Sequence, residues 1–92
     1  MIEFNIDLEE TVVFPNPTTK EVYLSMKDYE GRSVRIQIYN GLGVLMQEQL
    51  IDAFPDSPVR FETKGYNAGI YMMTIQVENL KRRTMPFVIA RL

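Results

Sequence analysis

An alternation of apolar and polar residues with a period of two, repeated along most of the chain, limits most strongly how this sequence can fold. It is clearest in residues 70–77, where every second residue is apolar. The residues on that face are Tyr71, Met73, Ile75 and Val77. The opposite face begins apolar and ends polar, which predicts a central strand whose second face is only partly covered. Gly69, just before it, can adopt the positive φ that a tight turn requires.

Further runs of the same kind are separated by turn residues at intervals of roughly ten positions. The predicted strands are residues 2–8, 11–14, 20–27, 33–40, 44–52, 58–63, 70–77 and 84–90. No run is convincingly helical, so the pattern predicts an all-β fold, an antiparallel β-sandwich of about seven strands. Pro86 cannot donate a ladder hydrogen bond, which predicts that the last strand lies at a sheet edge or is unpaired there.

Two connections and one irregular strand carry more specific predictions. Residues 28–32 read as a hairpin loop with Gly31 in the left-handed conformation. Residues 44–52 read as an edge strand that can carry a bulge, in which Met46 and Leu50 share one face and Ile51 lies on the other. The two prolines of residues 15–17 fix φ on either side of Asn16, which predicts a rigid bend.

The size and composition indicate one folded domain over residues 1–92. The chain is 46% hydrophobic and 24% charged, so disorder is not expected. No run of 18 apolar residues could cross a bilayer as a helix, and the first residues are not a signal peptide. If the domain works outside the cytoplasm, an upstream segment must take it there. We expect residues 1–10 to be either the end of a linker or an additional strand.

The residue types that dominate catalysis and metal binding are missing. The chain has no Cys and no His, which excludes disulfides, Ser-His-Asp and Cys-His sites and the commonest transition-metal ligands. The nearest pairs of acidic residues, Asp28 with Glu30 and Asp52 with Asp56, lie in predicted turns, where carboxylates usually cap or are solvated. We therefore predict no catalytic residue, no metal and no cofactor. The net charge of −2 and the scattered aromatic residues argue against nucleic-acid binding.

The charge is divided unevenly between the two parts of the chain. Up to Val59 there are four basic residues against ten acidic ones, and from Arg60 onwards six basic against two acidic. The basic part is concentrated in Lys81, Arg82 and Arg83, with Arg91 near the end. Such a division of charge can guide the approach of a charged partner. A hairpin turn that is merely exposed to solvent would carry the same basic residues.

Four motifs in order resemble the C-terminal sorting domain of type IX secretion cargo, type A. They are residues 13–22 (VFPNPTTKEV), 34–43 (VRIQIYNGLG), 67–71 (NAGIY) and 87–89 (FVI). The resemblance runs in order over residues 12–92. It implies an immunoglobulin-like β-sandwich at the end of proteins exported by Bacteroidota.

The resemblance also implies a role and partners. Such cargo crosses the inner membrane by a signal peptide, and its C-terminal domain then directs it through an outer-membrane translocon. A cell-surface sortase usually removes the domain and joins the cargo to a lipopolysaccharide. The implied domain is an address and not a catalyst, it does not insert in the membrane, and its cargo lies upstream of this chain. The implied location is secreted or cell surface, by way of the periplasm.

Several residues correspond to the family's motifs. Pro15, Asn16 and Pro17 match the motif at the start of the family's domain, Gly69 and Tyr71 match its late strand motif, and Arg91 stands for the basic residue at its end. Each could also be purely structural, as a bend, a turn or a core side chain.

The resemblance also points to the C-terminal hairpin as the surface that the secretion machinery recognises. That hairpin covers residues 70–92, with Lys81, Arg82 and Arg83 in its turn and an edge able to accept another strand. Members commonly place a Lys pair before the last strand, whereas this chain has Met85 and Pro86 there.

Two other functions stay open at this point. An immunoglobulin-like accessory module could bind carbohydrate or protein, or act as a spacer. An exposed aromatic platform would favour carbohydrate binding, and the candidates for it are Tyr23, Tyr29, Tyr39 and Tyr66. A hydrolase built on carboxylates is the third and weakest alternative.

Overall fold

Seven β-strands form the domain in a computed structural model, which describes residues 11–91. The strands are β1 (Thr11–Phe14), β2 (Glu21–Met26), β3 (Val34–Tyr39), β4 (Leu45–Ile51), β5 (Val59–Glu62), β6 (Gly69–Val77) and β7 (Arg83–Ile89). A single turn of 3-10 helix over Lys27–Tyr29 is the only helical element in this part of the chain. The predicted strands agree closely with these bounds. The strand predicted over residues 2–8, and the assignment of residues 1–10, lie outside the described residues.

The strands form two antiparallel sheets that share one core. One sheet has the order β1-β2-β5 and the other β4-β3-β6-β7. In immunoglobulin-like sandwiches this arrangement corresponds to strands A, B and E facing C′, C, F and G. The predicted fold class is therefore confirmed.

The core is built from the inward-facing residues of the alternating runs. β6 is central in its sheet, between β3 and β7, and the four residues predicted to share its inner face are buried. The other buried apolar residues of the strands are Val13, Val22, Leu24, Met26, Val34, Ile36, Ile38, Phe61, Phe87 and Ile89. Burial of each large side chain contributes about 1.5–3 kcal/mol to stability. The outer face of β6 is exposed at Ile70 and Met72, as the partly covered face predicted.

β4 is an edge strand with a bulge, as predicted, but its faces are not those predicted. Ile38 pairs with Gln47 while Tyr39 pairs with Leu45, so Met46 is the extra residue. The extra residue shifts the alternation by one position. Met46 and Ile51 therefore both pack against the core, although the sequence placed them on opposite faces.

Residues 28–32 do not form a hairpin loop, because β2 and β3 lie in different sheets. Gly31 has the predicted left-handed conformation, with φ of +84°. The connection instead crosses between the sheets and is held by Phe54, from the loop between β4 and β5. The Gly31 N–H donates to the Phe54 carbonyl (2.7 Å), and the Phe54 N–H donates to the Arg32 carbonyl (2.9 Å). The Phe54 ring is buried in the core.

Candidate recognition site

The described part of the chain offers neither a cluster of metal ligands nor a membrane-spanning helix. Within residues 11–91 no three acidic side chains gather where they could hold a metal ion. No helix in this part of the chain is long and apolar enough to cross a membrane.

Residues 15–17 carry the chain from the edge of one sheet to the edge of the other, and both proline peptide bonds in them are cis. The Asn16 Oδ1 accepts a hydrogen bond from the Val88 N–H (2.9 Å). Thr18 also bonds to β7 through its backbone. The Thr18 N–H donates to the Val88 carbonyl (2.9 Å), and the Thr18 carbonyl accepts from the Ala90 N–H (2.8 Å). The segment therefore closes the gap between β1 and β7.

This contact shortens the free edge of β7, which the sequence predicted to be able to accept another strand. β7 does lie at a sheet edge, as predicted. The groups of Val88 and Ala90 that point outward are already bonded to Asn16 and Thr18. Outward groups alternate along a strand, and Pro86 has no N–H, so addition of a strand is limited to the region of Thr84.

Gly69 and Tyr71 lie at the start of β6 and have structural roles. Gly69 has φ of +153°, a conformation that favours glycine. The Tyr71 hydroxyl donates to the Asn67 carbonyl (2.7 Å), the arrangement called a tyrosine corner in immunoglobulin-like domains. The Tyr71 ring is stacked between Tyr66 and Phe87, at centroid distances of 5.5 and 5.8 Å. Tyr71 is only 4% exposed, so the folded domain presents little of it to a partner.

The guanidinium group of Arg91, which follows β7, donates hydrogen bonds to two loops, the one between β5 and β6 and the one between β1 and β2. Its Nε donates to the Tyr66 carbonyl (3.0 Å), and its Nη2 donates to the Thr63 carbonyl (2.8 Å). Its Nη1 donates to the Thr19 carbonyl (2.5 Å). The planar fork of arginine suits such simultaneous contacts, and a lysine ammonium does not.

We expect Arg91→Ala to lower the free energy of unfolding by about 1–2 kcal/mol, because three backbone carbonyls lose a charged donor, although most of these contacts are exposed to solvent. Arg91→Lys should recover less than half of this loss, since an ammonium cannot reach three carbonyls. Urea denaturation measures both. Arg82→Ala, in the exposed turn between β6 and β7, is the control and should change stability by less than about 0.5 kcal/mol. Full recovery by lysine would show that only the charge matters.

The basic turn lies at the other end of the domain. Lys81 and Arg82 are exposed and Arg83 is half-buried, and within the described part of the chain none of the three forms an ion pair with an acidic side chain. Lys81 and Arg83 line a small recess of about 20 Å³ together with Thr11, where the described chain begins. The structure thus separates the predicted residues: the prolines, Gly69, Tyr71 and Arg91 lie at one end, and the basic turn at the other.

The outer face of the three-stranded sheet carries a small polar network. The Tyr23 hydroxyl donates to Glu21 Oε2 (2.8 Å), and Arg60 Nη1 lies 3.1 Å from Glu21 Oε1. The hydrogen bond from Tyr23, with a further contribution from Arg60, lowers the pKa of the Glu21 carboxyl, and the same hydrogen bond raises the pKa of Tyr23. The Tyr23 ring also stacks on Phe14 at 5.6 Å.

The four tyrosines proposed as a carbohydrate platform do not share a surface. Tyr29 is buried in the core. Tyr23 lies on the outer face of the three-stranded sheet, Tyr39 on the outer face of the other sheet, and Tyr66 stacks on Tyr71. The structure brings none of these four rings together into one flat aromatic surface.

An exposed apolar surface on the four-stranded sheet was not assigned a function from the sequence. Leu45, Tyr39, Met72 and Pro86 stand side by side across the four strands, and Ile70 pairs with Val88 in the adjacent row. We call these six residues the apolar end face. The apolar start of the outer face of residues 70–77 was the signal for it, but the contributions of the neighbouring strands depend on their register.

The comparison with protein families agrees with this architecture. The model of the family described as "Secretion system C-terminal sorting domain" matches residues 12–89, which run from β1 to the last residue of β7. No match was found among curated proteins or among solved structures. Because the match covers most of the chain and all seven strands, the chain belongs to the family of type IX secretion system C-terminal sorting domains.

Proposed function

We propose that this domain is a non-catalytic sorting signal, which directs an attached cargo protein through the outer-membrane translocon of the type IX secretion system. A cell-surface sortase then removes it. The observation that carries the proposal is the family match over residues 12–89. The family's role in sorting implies export to the cell surface or the medium and contact with the type IX machinery. The proposed domain covers residues 1–92, with the sandwich in residues 11–91.

The position of Thr11, the first residue of β1, indicates where an upstream cargo domain would be linked. Thr11 lies beside Leu80, Lys81 and Arg83, at the end of the sandwich where β6 turns into β7. A cargo domain upstream of Thr11 therefore joins at this end. The opposite end, where β6 begins, remains accessible to the machinery while the cargo is attached.

A fusion experiment tests this function. Residues 1–92 are attached to the C-terminus of a reporter that carries a periplasmic signal peptide, in a host with a type IX system. We expect the reporter at the cell surface or in the medium, with a mass that shows loss of the domain. A fusion without residues 70–92 lacks β6 and β7 and should stay in the periplasm. Retention of the intact fusion in the periplasm would contradict the proposal, and export without loss of the domain would contradict its removal.

The predicted recognition residues can be examined in the same assay. Replacement of Lys81, Arg82 and Arg83 by Ala leaves the core intact, because these side chains lie in or beside an exposed turn. Weaker export of this variant, with an unchanged melting temperature, would support contact between the basic turn and the machinery.

A further inference from the structure

The apolar end face is a continuous surface of uncharged side chains on the outside of the four-stranded sheet. Ile70 is 59% exposed, and Leu45, Met72 and Val88 are also exposed. A shallow groove of about 480 Å³ runs over Ile70 and Met72, next to the turn between β3 and β4. In the next row of the same face, the paired residues Gln37, Glu48, Thr74 and Thr84 are polar. On the side towards the turn between β6 and β7, the apolar surface therefore ends at this row.

We propose that the apolar end face is where the domain docks, through an apolar protein surface, on the outer-membrane secretion apparatus. The proposal rests on the proposed function and names the surface that performs the recognition. Large exposed apolar patches in soluble domains usually mark interaction sites.

The size of the face fits a transient partner better than a second copy of the chain. Its most prominent large side chains, Leu45, Ile70, Met72 and Val88, are each between 38% and 59% exposed, so a face of six residues is small. A stable pair of copies needs about 800 Å² from each partner. A sorting domain must also be released after each passage, and a small interface permits this because weakly bound partners dissociate fast.

The charge of the face indicates what kind of surface it meets. None of its six residues is charged, and the rim formed by Asn40, Gly41 and Gly43 is uncharged as well. Lipid surfaces are usually bound by Lys and Arg beside apolar residues, whereas the basic turn lies at the other end of the sheet. An apolar protein surface is therefore a better match than a lipid headgroup layer.

The position of the face keeps it clear of the cargo. Ile70 and Val88 lie near one end of β6 and β7, and Thr11 lies beside Arg83 at the other end. The domain is 45 Å along its longest axis. A partner can therefore reach the face while a cargo domain is attached upstream of Thr11.

The test compares two equivalent changes on the same face of the sheet. Ile70→Asp places a charge in the apolar end face, and Leu50→Asp places one at the other end of β4, where Leu50 is 67% exposed. In the reporter fusion we expect Ile70→Asp to reduce export about tenfold, as loss of a central interface contact does, and Leu50→Asp to reduce it less than twofold. Both purified variants should keep the melting temperature of the parent, since both side chains are exposed.

A second variant and a cross-linking measurement complete the test. Val88→Asp, on the neighbouring strand, should repeat the loss of export, which guards against a folding defect peculiar to position 70. A photoreactive amino acid at position 70 should join the fusion covalently to a protein of the outer-membrane apparatus, and one at position 50 should not.

The outcomes separate this inference from the proposed function. If the parent fusion is not exported, the proposed function fails, and this inference with it. If the parent and both aspartate variants at positions 70 and 88 are exported equally, the inference is overturned while the sorting function stands. If the purified domain is a dimer that Ile70→Asp dissociates without loss of export, the face joins two copies and the inference is overturned.

Discussion

Replacement of Tyr71 by Ala is expected to lower the free energy of unfolding by about 3–5 kcal/mol, because it removes a buried ring that is stacked on two others in the core. Tyr71→Phe keeps the ring and its stacking on Tyr66 and Phe87, and it loses only the hydrogen bond to the Asn67 carbonyl. We expect this variant to lose about 1 kcal/mol. Chemical denaturation of the purified domain measures both values.

Tyr39→Phe is the matched control for the hydroxyl group. The Tyr39 hydroxyl donates to Gln37 Oε1 (3.2 Å) on the outer face of the sheet, where water can replace the partner. Its loss should cost less than about 0.5 kcal/mol. Equal effects at positions 39 and 71 would contradict the tyrosine corner as a stabilising element.

The same variants decide how the late strand motif acts in sorting. If Tyr71 only stabilises the fold, the Tyr71→Phe fusion is slightly destabilised and should be exported almost as well as the parent fusion. A large loss of export by a folded Tyr71→Phe protein would instead show that the machinery touches the hydroxyl directly.

Phe54→Ala is expected to have an effect as large as that of Tyr71→Ala, although Phe54 lies in a loop. The ring is 2% exposed and its removal leaves a cavity under the connection from β2 to β3, so we expect a loss of about 3–5 kcal/mol. Thermal or urea denaturation provides the measurement. Leu42→Ala, in another loop, is the control: Leu42 is 90% exposed, and its loss should cost less than about 0.5 kcal/mol.

A small effect of Phe54→Ala would mean that the connection does not depend on the ring. Its two backbone hydrogen bonds, to Gly31 and Arg32, would then be sufficient to hold the crossing between the sheets. Amide hydrogen exchange at Gly31 distinguishes the cases, because a loosened connection exposes that N–H even where global stability changes little.

Most of the recognition residues that the sequence suggested have a structural role in the fold. Gly69, Tyr71 and Arg91 hold turns, rings and chain ends in place, and Asn16 ties the proline segment to β7. Motifs of this kind identify a family because the fold requires them. The fold does not require particular residues on the surface that binds a partner. That surface can therefore lie outside the family motifs.

The sequence by itself determined the strands, because alternation of period two records locally which side chains face the core. It therefore predicted the seven described strands, the edge positions of β4 and β7 and the left-handed glycine at position 31. The family resemblance was also readable from local motifs, since each of them serves a turn or a strand end.

Only the tertiary structure decided which strands share a sheet and which exposed residues are neighbours. Pairing depends on contacts between distant residues, and no local pattern shows that β2 and β3 lie in different sheets. The bulge at Met46 reversed the faces of β4 because one extra residue shifts every side chain before it. The apolar end face exists for the same reason: its residues come from four strands, and only the register of the sheet places them side by side.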